Sequence, residues 1–378
     1  MEAGGAVERC RAVIDLRALV ANFEIARRQA GGAEVIAVVK ADAYGHGDVR
    51  VAGALVDAGC SRLAVVTVSE AVALRDAGLQ VPILVMGGMG SSEEAREVVA
   101  RGLTPVLHDA RPIPWLTAAV DGPPLPVHVE VDTGMHRMGV SWPTASLLLE
   151  SLHESPELAL EGVYTHLARA DEVDLEPSLR QVDRLARLLE GVGALGIEPP
   201  CIHFANSAGL LAGGVLSGRL PRVDAVRPGL MLYGVTPADH LTPPEGLQPV
   251  MTLRARVVAL RNVPKGEGVG YAGMFRASRD TRVATLPLGY EDGVPISTSN
   301  RGTVCIRGQR LPIVGRVSMD FITVEVGDAT VELGDEAVIF GGSGAMHRAV
   351  EEAAADAGTI PYELLVRVGS RVPRVYEA

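Results

Sequence analysis

Eight short apolar runs alternate with helix-like segments up to residue 234, and this alternation constrains the fold more than any other feature. Runs rich in β-branched residues are typical of parallel strands that are buried on both faces. The runs are EVIAVVK (34–40), LAVVT (63–67), PILVM (82–86), TPVLH (104–108), PVHVEVD (126–132), GVYTH (162–166), CIHFAN (201–206) and DAVRPG (224–229). Eight such units predict a (β/α)8 barrel of the TIM type, because the alternative, a doubly wound sheet, usually has fewer strands.

Polar side chains stand at or just after the ends of several of these runs. Active sites of such barrels are built at the C-terminal face, from residues in these positions. The residues are Lys40, Asp132, His166, Asn206 with Ser207, and Arg227. Packing alone does not explain five polar strand ends, so the sequence predicts a functional site at this face.

The pattern changes from about residue 248 to alternating strands separated by Gly turns, which predicts a mostly antiparallel β domain. The Pro-rich stretch TPADHLTPPEGLQP (236–249) is the expected linker, and AMHRAVEEAAADAG (345–358) predicts a helix within the second domain. We therefore predict a barrel over residues 9–240 and a C-terminal β domain over 241–378. A strand over residues 11–15 is a candidate to pack with the second domain. SSEE (91–94) predicts a capping box at a helix start, with Gly102 as the stop.

The net charge of −11 argues against a nucleic-acid or anionic-membrane partner, because both require a concentrated basic surface. Cys10, Cys60, Cys201 and Cys305 form no C-x-x-C pair, so neither a metal site nor a disulfide framework is expected. The opening MEAGGAVERCR lacks a long apolar segment, and no apolar stretch reaches the roughly 20 residues that span a bilayer. We expect a cytoplasmic protein that acts on a small substrate.

A lysine at a barrel mouth can bind an anion, act as a general base or form a Schiff base, and burial favours the last two roles. The alternative is a surface lysine that extends into solvent. Tyr44 follows Lys40 in a loop whose Gly45 and Gly47 would let the backbone approach a ligand. ANSAG (205–209) and RPGLMLYG (227–234) could supply phosphate donors, although Asn-Ser and Pro-Gly are also ordinary turn sequences.

With these positions assembled, the chain resembles the alanine racemase family of fold-type III pyridoxal-phosphate (PLP) enzymes, which combine a (β/α)8 barrel with a C-terminal β domain. The resemblance covers nearly the whole chain in the family's order. Its segments are IDLRALVANF (14–23), VVKADAYGHG (38–47), VDTGMHRMGV (131–140), YTHLARADE (164–172), HFANSAG (203–209), VRPGLMLYG (226–234), GVGYAGMFRA (268–277), GYEDG (289–293), GRVSMDFITVEV (315–326) and TIPYELL (359–365).

The resemblance implies that Lys40 bonds covalently to pyridoxal 5'-phosphate and that Lys40 and Tyr271 carry protons on opposite faces of the substrate. In the family the equivalent of Tyr271 comes from the partner subunit, which implies a homodimer with shared active sites. Arg227 would face the pyridine nitrogen and His166 would lie beside it. The resemblance further implies phosphate contacts from Tyr44, Ser207, Gly229, Leu230 and Tyr362, with Asn206 nearby. Substrate contacts would come from Arg137, Met319, Asp320 and Tyr290.

This sequence departs from the family pattern at several positions. Glu130 stands where many members carry a lysine, often carbamylated, and we expect Glu130 to pair with Arg137 instead. Met274, Phe275 and His136 replace smaller residues at the expected pocket wall. A racemase of serine or another small amino acid is therefore the first alternative. A non-catalytic PLP homeostasis protein, a decarboxylase and a D-threonine aldolase are more distant alternatives, because they lack the Tyr271 domain or need motifs that this sequence lacks.

Overall fold

The structure is a computed structural model and describes residues 9–378. The expectation drawn from the opening residues MEAGGAVERCR therefore lies, for residues 1–8, outside the described residues. The chain divides into two compact units. The barrel unit comprises residues 19–43 and 48–247, and the β unit comprises residues 9–18, 44–47 and 248–378. The domain limits expected from the sequence, 9–240 and 241–378, stay a prediction.

The strands of the described residues are numbered in chain order. The first ten are β1 Cys10–Asp15, β2 Glu34–Val38, β3 Arg62–Val65, β4 Ile83–Val85, β5 Thr104–Leu107, β6 Leu125–Asp132, β7 Val140–Ser141, β8 Leu158–Tyr164, β9 Cys201–His203 and β10 Ala225–Val226. The next ten are β11 Met251–Arg256, β12 Ala259–Val263, β13 Gly268–Val269, β14 Phe275–Arg276, β15 Thr281–Leu286, β16 Thr303–Ile306, β17 Gln309–Pro312, β18 Ile322–Glu325, β19 Glu336–Phe340 and β20 Arg374–Glu377.

The helices of the described residues follow the strands in both units. They are α1 Leu16–Gln29, α2 Lys40–Gly45, α3 Asp48–Asp57, α4 Val68–Asp76, α5 Ser92–Ala100, α6 Ile113–Thr117, α7 Ala145–His153, α8 Glu176–Gly193, α9 Ser207–Leu211, α10 Gly214–Ser217, α11 Val350–Ala357 and α12 Pro361–Val366. None of those in the described part of the chain is both long and apolar enough to cross a membrane.

Eight parallel strands close into a barrel, as the apolar runs predict. The order is β2, β3, β4, β5, β6, β8, β9 and β10, and β10 pairs with β2 to close the ring. Their residues are almost all buried, and Ile83, Leu84 and Val85 have no exposed surface. Burying one such side chain stabilises the fold by roughly 1.5–3 kcal/mol, so near-continuous apolar runs belong in strands covered on both faces.

Helix α5 begins at the predicted cap. The Ser91 hydroxyl accepts a hydrogen bond from the Glu94 N–H at 3.3 Å, and Gly102 follows the helix with a φ of +58°. The predicted reciprocal bond differs, because the Glu94 carboxylate accepts from the Gly90 N–H at 2.6 Å. In a capping box the Glu94 carboxylate would accept from the Ser91 N–H, but here it accepts from the N–H of the preceding residue.

The β unit is mostly antiparallel. Its largest sheet has the order β17, β16, β19, β11, β1, β20, and a second sheet has the order β12, β15, β18. Strand β1 pairs antiparallel with β11 and parallel with β20. The predicted fold class, a TIM-type barrel with a C-terminal β domain, is confirmed.

The helix predicted over residues 345–358 is shorter than expected. Residues Gly344–Met346 form a 3-10 turn, and α11 begins only at Val350. His347 is extended, and Arg348 forms an antiparallel bridge with Gly341. Sheet pairing thus takes the first residues of the apparent helical pattern, because backbone hydrogen bonds to a neighbouring strand satisfy their polar groups.

Candidate active site

The Lys40 segment leaves strand β2 in an unusual conformation. Lys40 begins α2, and the four residues that follow it have φ values between +51° and +54°. These residues are Ala41, Asp42, Ala43 and Tyr44. A left-handed turn costs roughly 1–2 kcal/mol for each residue other than glycine, so other contacts must hold the segment in this form. Local strain of this kind concentrates at functional sites.

Glu70 supplies one of these contacts in the barrel unit. Its carboxylate accepts hydrogen bonds from the backbone N–H of Ala41 at 2.7 Å, Val66 at 2.8 Å and Thr67 at 3.0 Å. The Thr67 hydroxyl in turn caps helix α4 by accepting from the Glu70 N–H at 3.2 Å. One capped helix start therefore fixes the first peptide group after Lys40.

The Lys40 amine is placed where its neutral form is favoured. Burial lowers the pKa of Lys40 from its ordinary value, and the positive charge of Arg137 lowers it further, while Glu70 acts in the opposite direction. A lysine with a lowered pKa is a nucleophile or base at milder pH than a solvated lysine. The interpretation of Lys40 as a solvent-exposed surface lysine does not fit this environment.

Gly45 and Gly47 have a different role from the one expected. Their φ values are +81° and +94°, and a Cβ at either position would collide with the protein itself, at the Leu365 carbonyl oxygen and the Tyr376 hydroxyl respectively. Both positions therefore require glycine because another part of the β unit approaches closely. The sequence-based interpretation, a close approach by a ligand, is not needed to explain them.

Tyr44 and Tyr362 lie together in the β unit. Their ring centroids are 6.2 Å apart. Burial, followed by the proximity of Tyr362, raises the pKa of Tyr44 well above its ordinary value. The Tyr44 hydroxyl therefore keeps its proton and can donate a hydrogen bond.

Arg227 is almost completely buried in the barrel unit, with 3% of its surface exposed. It donates from Nη1 to the Nδ1 atom of His203 and from Nη2 to the Thr165 carbonyl oxygen at 3.1 Å. Its guanidinium carbon also lies 4.3 Å from the centre of the Tyr164 ring. Burial lowers the pKa of Arg227, but a guanidinium remains protonated in proteins, so Arg227 is a fixed cationic donor.

His166 lies within reach of the same charges. Burial, and then the positive charges of Arg227, Arg137 and Lys40, lower the pKa of His166 to about 3. Its imidazole is therefore neutral at ordinary pH. The expected grouping of Lys40, Arg137, His166 and Arg227 is consistent with these mutual charge effects.

Ser207 and the segment after Arg227 form a set of hydrogen-bond donors. The Ser207 hydroxyl accepts from the N–H of Gly229 at 3.0 Å and of Met231 at 3.2 Å, and its own proton is available for donation. Leu230 begins a buried 3-10 turn. The Asn206 amide oxygen caps α9 by accepting from the Gly209 N–H at 2.9 Å, so Asn206 has a structural task that the sequence alone did not reveal.

The expected ion pair between Glu130 and Arg137 is absent from the part of the chain that the structure describes. Glu130 is buried and accepts a hydrogen bond from the Tyr164 hydroxyl at 2.9 Å. Its carboxylate also lies 3.4 Å from Nδ1 of His108. The Glu130 carboxylate therefore contacts Tyr164 and His108, and no ion pair with Arg137 is among its contacts in the described residues.

The turn before Arg137 is held by Asp132. Its carboxylate accepts from the N–H of Gly134, Met135 and His136, each at 3.0 Å, and from the His136 ring at 3.0 Å. His136 has a φ of +57°, a left-handed conformation that glycine adopts at a lower cost than histidine. Asp132 is therefore a turn-forming residue, and the His136 side chain is exposed.

Tyr271, Tyr290, Met319 and Asp320 line one cavity of about 570 Å³ in the β unit. Tyr271 is 68% exposed. Asp320 pairs with Arg371 at 2.8 Å. Met274 and Phe275, which replace smaller residues at the expected pocket wall, have different surroundings. Met274 is exposed, whereas Phe275 packs against an apolar cluster that includes Val283 and Val314.

Sequence reasoning missed His203 and Tyr164, which contact Arg227 directly. His128 and His203 are polar residues within otherwise apolar strand runs, and both are completely buried. A buried polar group must be hydrogen-bonded, so these two interruptions of the apolar pattern were the available signal.

Comparisons with known proteins agree with this geometry. Residues 14–237 match the family described as alanine racemase, N-terminal domain, and residues 250–376 match alanine racemase, C-terminal domain. An alanine racemase of Sorangium cellulosum is 40% identical, over 97% of this chain and 98% of its own. One of Syntrophobacter fumaroxidans is 41% identical, over 94% of each chain.

Solved structures extend the match to three dimensions. The crystal structure of alanine racemase from D-cycloserine-producing Streptomyces lavendulae has a TM-score of 0.92 and 34% identity, covering 99% of this chain and 98% of its own. The alanine racemase of Bartonella henselae, described as having covalently bound pyridoxal phosphate, has a TM-score of 0.86 and 32% identity, covering 98% of this chain and 100% of its own. The chain therefore belongs to the alanine racemase family.

Proposed function

We propose that the protein interconverts L-alanine and D-alanine with pyridoxal 5'-phosphate as its cofactor. The observation that carries the proposal is the environment of Lys40, an amine whose pKa is lowered by burial and by Arg137 at the end of a barrel strand. Family membership and the cofactor named for the Bartonella henselae relative support it.

The donor groups of this chain fit the cofactor chemically. Lys40 offers an amine that is readily neutral, Arg227 offers a permanent cation, and Ser207 offers a hydroxyl beside backbone N–H groups. Bound pyridoxal phosphate withdraws electrons from the attached amino acid and so acidifies its Cα–H. We assign Lys40 to the covalent bond and Arg227 to the ring nitrogen, with His166 beside Arg227. The phosphate group is assigned to Tyr44, Ser207, Gly229, Leu230 and Tyr362, with Asn206 nearby.

Racemisation requires two proton carriers, because the proton removed from one face of Cα must be replaced on the other. We assign these roles to Lys40 and Tyr271. Arg137 and the backbone of Met319 are assigned to the substrate carboxylate and the cofactor oxygen, while Asp320 and Tyr290 line the approach. These assignments rest on the family resemblance.

We further propose a cytoplasmic homodimer in which Tyr271 serves the barrel of the partner subunit. The exposed surface around Tyr271 supports this proposal, since it includes the apolar side chains of Ile296, Met319 and Phe321. Contiguous exposed apolar side chains are typical of protein interfaces. The size of Phe275 is one reason to consider serine as the substrate. Because Phe275 packs into the apolar cluster of the β unit, this reason is weakened, and alanine is the proposed substrate.

The chain offers a clean test of the cofactor bond, because Lys40 and Lys265 are its two lysines. Borohydride reduction followed by peptide mass spectrometry should place the cofactor on Lys40. Lys40→Arg should abolish racemisation, whereas the matched control Lys265→Arg should retain it. A cofactor bound at neither lysine would contradict the proposal.

The two-base assignment and the shared site need separate experiments. Solvent deuterium should enter Cα of both alanine enantiomers, and Tyr271→Phe should impair exchange mainly from one enantiomer. Mixing Lys40→Ala with Tyr271→Phe subunits should restore up to about a quarter of wild-type activity, because each mixed dimer regains one complete shared site. No recovery after verified subunit exchange would exclude a shared site. Assays on alanine and serine decide the substrate.

A further inference from the structure

A chain of hydrogen bonds runs through the buried part of the barrel unit away from Arg227. Arg227 donates to Nδ1 of His203, Nε2 of His203 lies 2.9 Å from Nδ1 of His128, and Nε2 of His128 lies 3.2 Å from the Glu161 carboxylate. His203 and His128 are completely buried. We name Arg227, His203, His128 and Glu161 the histidine relay.

Each hydrogen bond of the histidine relay is donated in the direction from Arg227 toward Glu161. Arg227 can only donate, so Nδ1 of His203 must accept and the proton of His203 lies on Nε2. That proton is donated to Nδ1 of His128, so the proton of His128 also lies on Nε2. The second proton is donated to Glu161, whose ionised carboxylate can only accept. An obligate donor at one end and an obligate acceptor at the other thus fix both tautomers.

The charges agree with this direction. Burial is the largest cause that lowers the pKa of both His128 and His203, so both imidazoles are neutral. Hydrogen bonds from His128 and Arg62 lower the pKa of Glu161 to about 2, so it is ionised. Arg62 Nη1 also lies 3.5 Å from Nε2 of His128, but the shorter contact to Glu161 and the tautomer argument favour donation to the carboxylate.

The far end of the relay lies toward the opposite ends of the strands. Arg62 is the first residue of β3 and binds Glu161 through two hydrogen bonds, of 2.7 and 2.9 Å. The Glu161 side chain is 28% exposed. Arg227, in contrast, follows the C-terminal end of β10. Parallel strands place these two ends on opposite faces of a barrel, so the relay crosses it.

We propose that Glu161, His128 and His203 are positioning residues that fix the orientation and donor direction of Arg227 from the far side of the barrel. The proposal rests on the proposed function in so far as Arg227 is assigned to the cofactor's ring nitrogen. Buried hydrogen-bond chains polarise their members, so a carboxylate at one end strengthens the hold on the guanidinium at the other. A guanidinium held in this way would present its N–H groups to the ring nitrogen in one fixed orientation.

A substitution pair separates this role from general packing. Glu161→Gln removes the obligate acceptor, because an amide can also donate. Donation from the amide to Nε2 of His128 would reverse both tautomers and protonate Nδ1 of His203, which could then no longer accept from Arg227. Glu34→Gln is the matched control, since Glu34 also lies near Arg62, at 3.6 Å, has a 29% exposed side chain, and makes no contact with His128 among the described residues. Both substitutions disturb Arg62, but only one ends the relay.

Nitrogen-15 NMR of the histidine rings in the full chain without cofactor reads the tautomers directly. We expect protonated Nε2 and unprotonated Nδ1 for His203 and His128 in the wild type and in Glu34→Gln. Glu161→Gln should show a second tautomer or exchange broadening at both rings. A wild-type His203 protonated on Nδ1 would overturn the proposal, and this measurement needs no variant to fold.

Equilibrium binding supplies the second readout. Pyridoxamine phosphate cannot bond to Lys40 as an aldehyde would, so its affinity reports the non-covalent contacts. Glu161→Gln should weaken it about tenfold, the scale of a hydrogen bond to a charged group, while Glu34→Gln should not. The analogue with carbon in place of the ring nitrogen should bind both variants equally.

The outcomes distinguish this inference from the proposed function. A wild type that binds no pyridoxamine phosphate contradicts the proposed function, and the NMR measurement still decides the tautomers. A wild type that binds it, with equal affinity in Glu161→Gln and unchanged histidine signals, overturns the positioning role while leaving the proposed function intact. An equal loss of affinity for the analogue that lacks the ring nitrogen would also overturn it.

Discussion

The guanidinium carbon of Arg227 lies 4.3 Å from the centre of the Tyr164 ring, while the Tyr164 hydroxyl donates to Glu130 at 2.9 Å. One side chain thus contacts a buried cation with its face and a buried carboxylate with its edge. Burial and the charge of Glu130 raise the pKa of Tyr164 well above its ordinary value, so the hydroxyl stays protonated and continues to donate.

Tyr164→Phe should separate these two contacts. The ring under Arg227 remains, but the buried Glu130 carboxylate loses its donor, so the free energy of unfolding should fall by about 1–3 kcal/mol. Tyr164→Leu removes the ring as well and should cost about 2 kcal/mol more. Urea unfolding measures both, and racemisation should suffer more in the Leu variant. Equal activity loss in the two variants would show that the ring does not support Arg227.

Arg137→Gln should raise the pKa of Lys40. The positive charge of Arg137 disfavours the Lys40 ammonium, so its removal should make the amine protonate at higher pH than in the wild type. Reductive methylation of the cofactor-free protein across a pH series, followed by mass spectrometry of the Lys40 peptide, gives the midpoint of Lys40 protonation. Arg169→Gln, at an exposed arginine of the same unit, is the control. An unshifted midpoint in Arg137→Gln would show that Arg137 does not act on Lys40.

His166 should make the protein sensitive to acid. Its folded-state pKa of about 3 lies below the ordinary value of 6.5, so between these values the unfolded chain binds a proton that the folded chain does not. Stability should therefore fall as the pH drops from 6.5 toward 3. His166→Asn should lose less unfolding free energy than the wild type between neutral pH and about pH 4.5. The exposed His153→Asn should behave as the wild type; a steeper loss in His166→Asn would contradict the assignment.

Arg371 should contribute both to stability and to the substrate approach. It donates to Asp292 at 2.7 and 2.9 Å, pairs with Asp320 at 2.8 Å and donates to the Met319 carbonyl at 3.2 Å. Asp292 is only 2% exposed. Arg371→Ala should therefore lower the free energy of unfolding by about 2 kcal/mol, less than a fully buried pair because Arg371 is half-exposed.

The kinetic effect of Arg371→Ala follows from Asp320 and Met319, which lose their partner. We expect a higher KM with little change in kcat, because Asp320 is assigned to the substrate approach and the Met319 backbone to substrate and cofactor binding, and neither is assigned a proton transfer. Arg367→Ala removes an exposed pair with Glu363 and should cost at most about 1 kcal/mol. A fall in kcat alone would place Arg371 closer to the chemistry than we propose.

The barrel could be predicted because its strands are buried on both faces, so each appears as an uninterrupted apolar run. The family could be predicted because its segments occur in order along nearly the whole chain. The partners of Glu130 could not be predicted, because Tyr164 and His108 come close to Glu130 only after the barrel strands pair. The short helix at Val350 was hidden for the same reason, because a strand pairing takes up Arg348.

The left-handed turn after Lys40 was beyond prediction in a different way. Ala and Asp have no local preference for a run of positive φ values, and four such residues follow Lys40. The hydrogen bond from the Ala41 N–H to the distant Glu70 carboxylate is one of the contacts that hold the turn, together with the Asp48 N–H bond to the Asp42 carboxylate. Local sequence and final conformation therefore disagree at the residue on which the proposed chemistry depends.

That disagreement has a consequence for how the protein matures. An isolated peptide of residues 38–47 would favour the opposite hand, so this turn cannot form early from local preference. It needs contacts from distant parts of the chain, among them the Glu70 carboxylate on helix α4, so we expect the Lys40 segment to form late in folding. In a nascent or partly unfolded chain, Lys40 should therefore lack the buried environment that lowers its pKa. Attachment of the cofactor to Lys40 should then indicate that folding is complete.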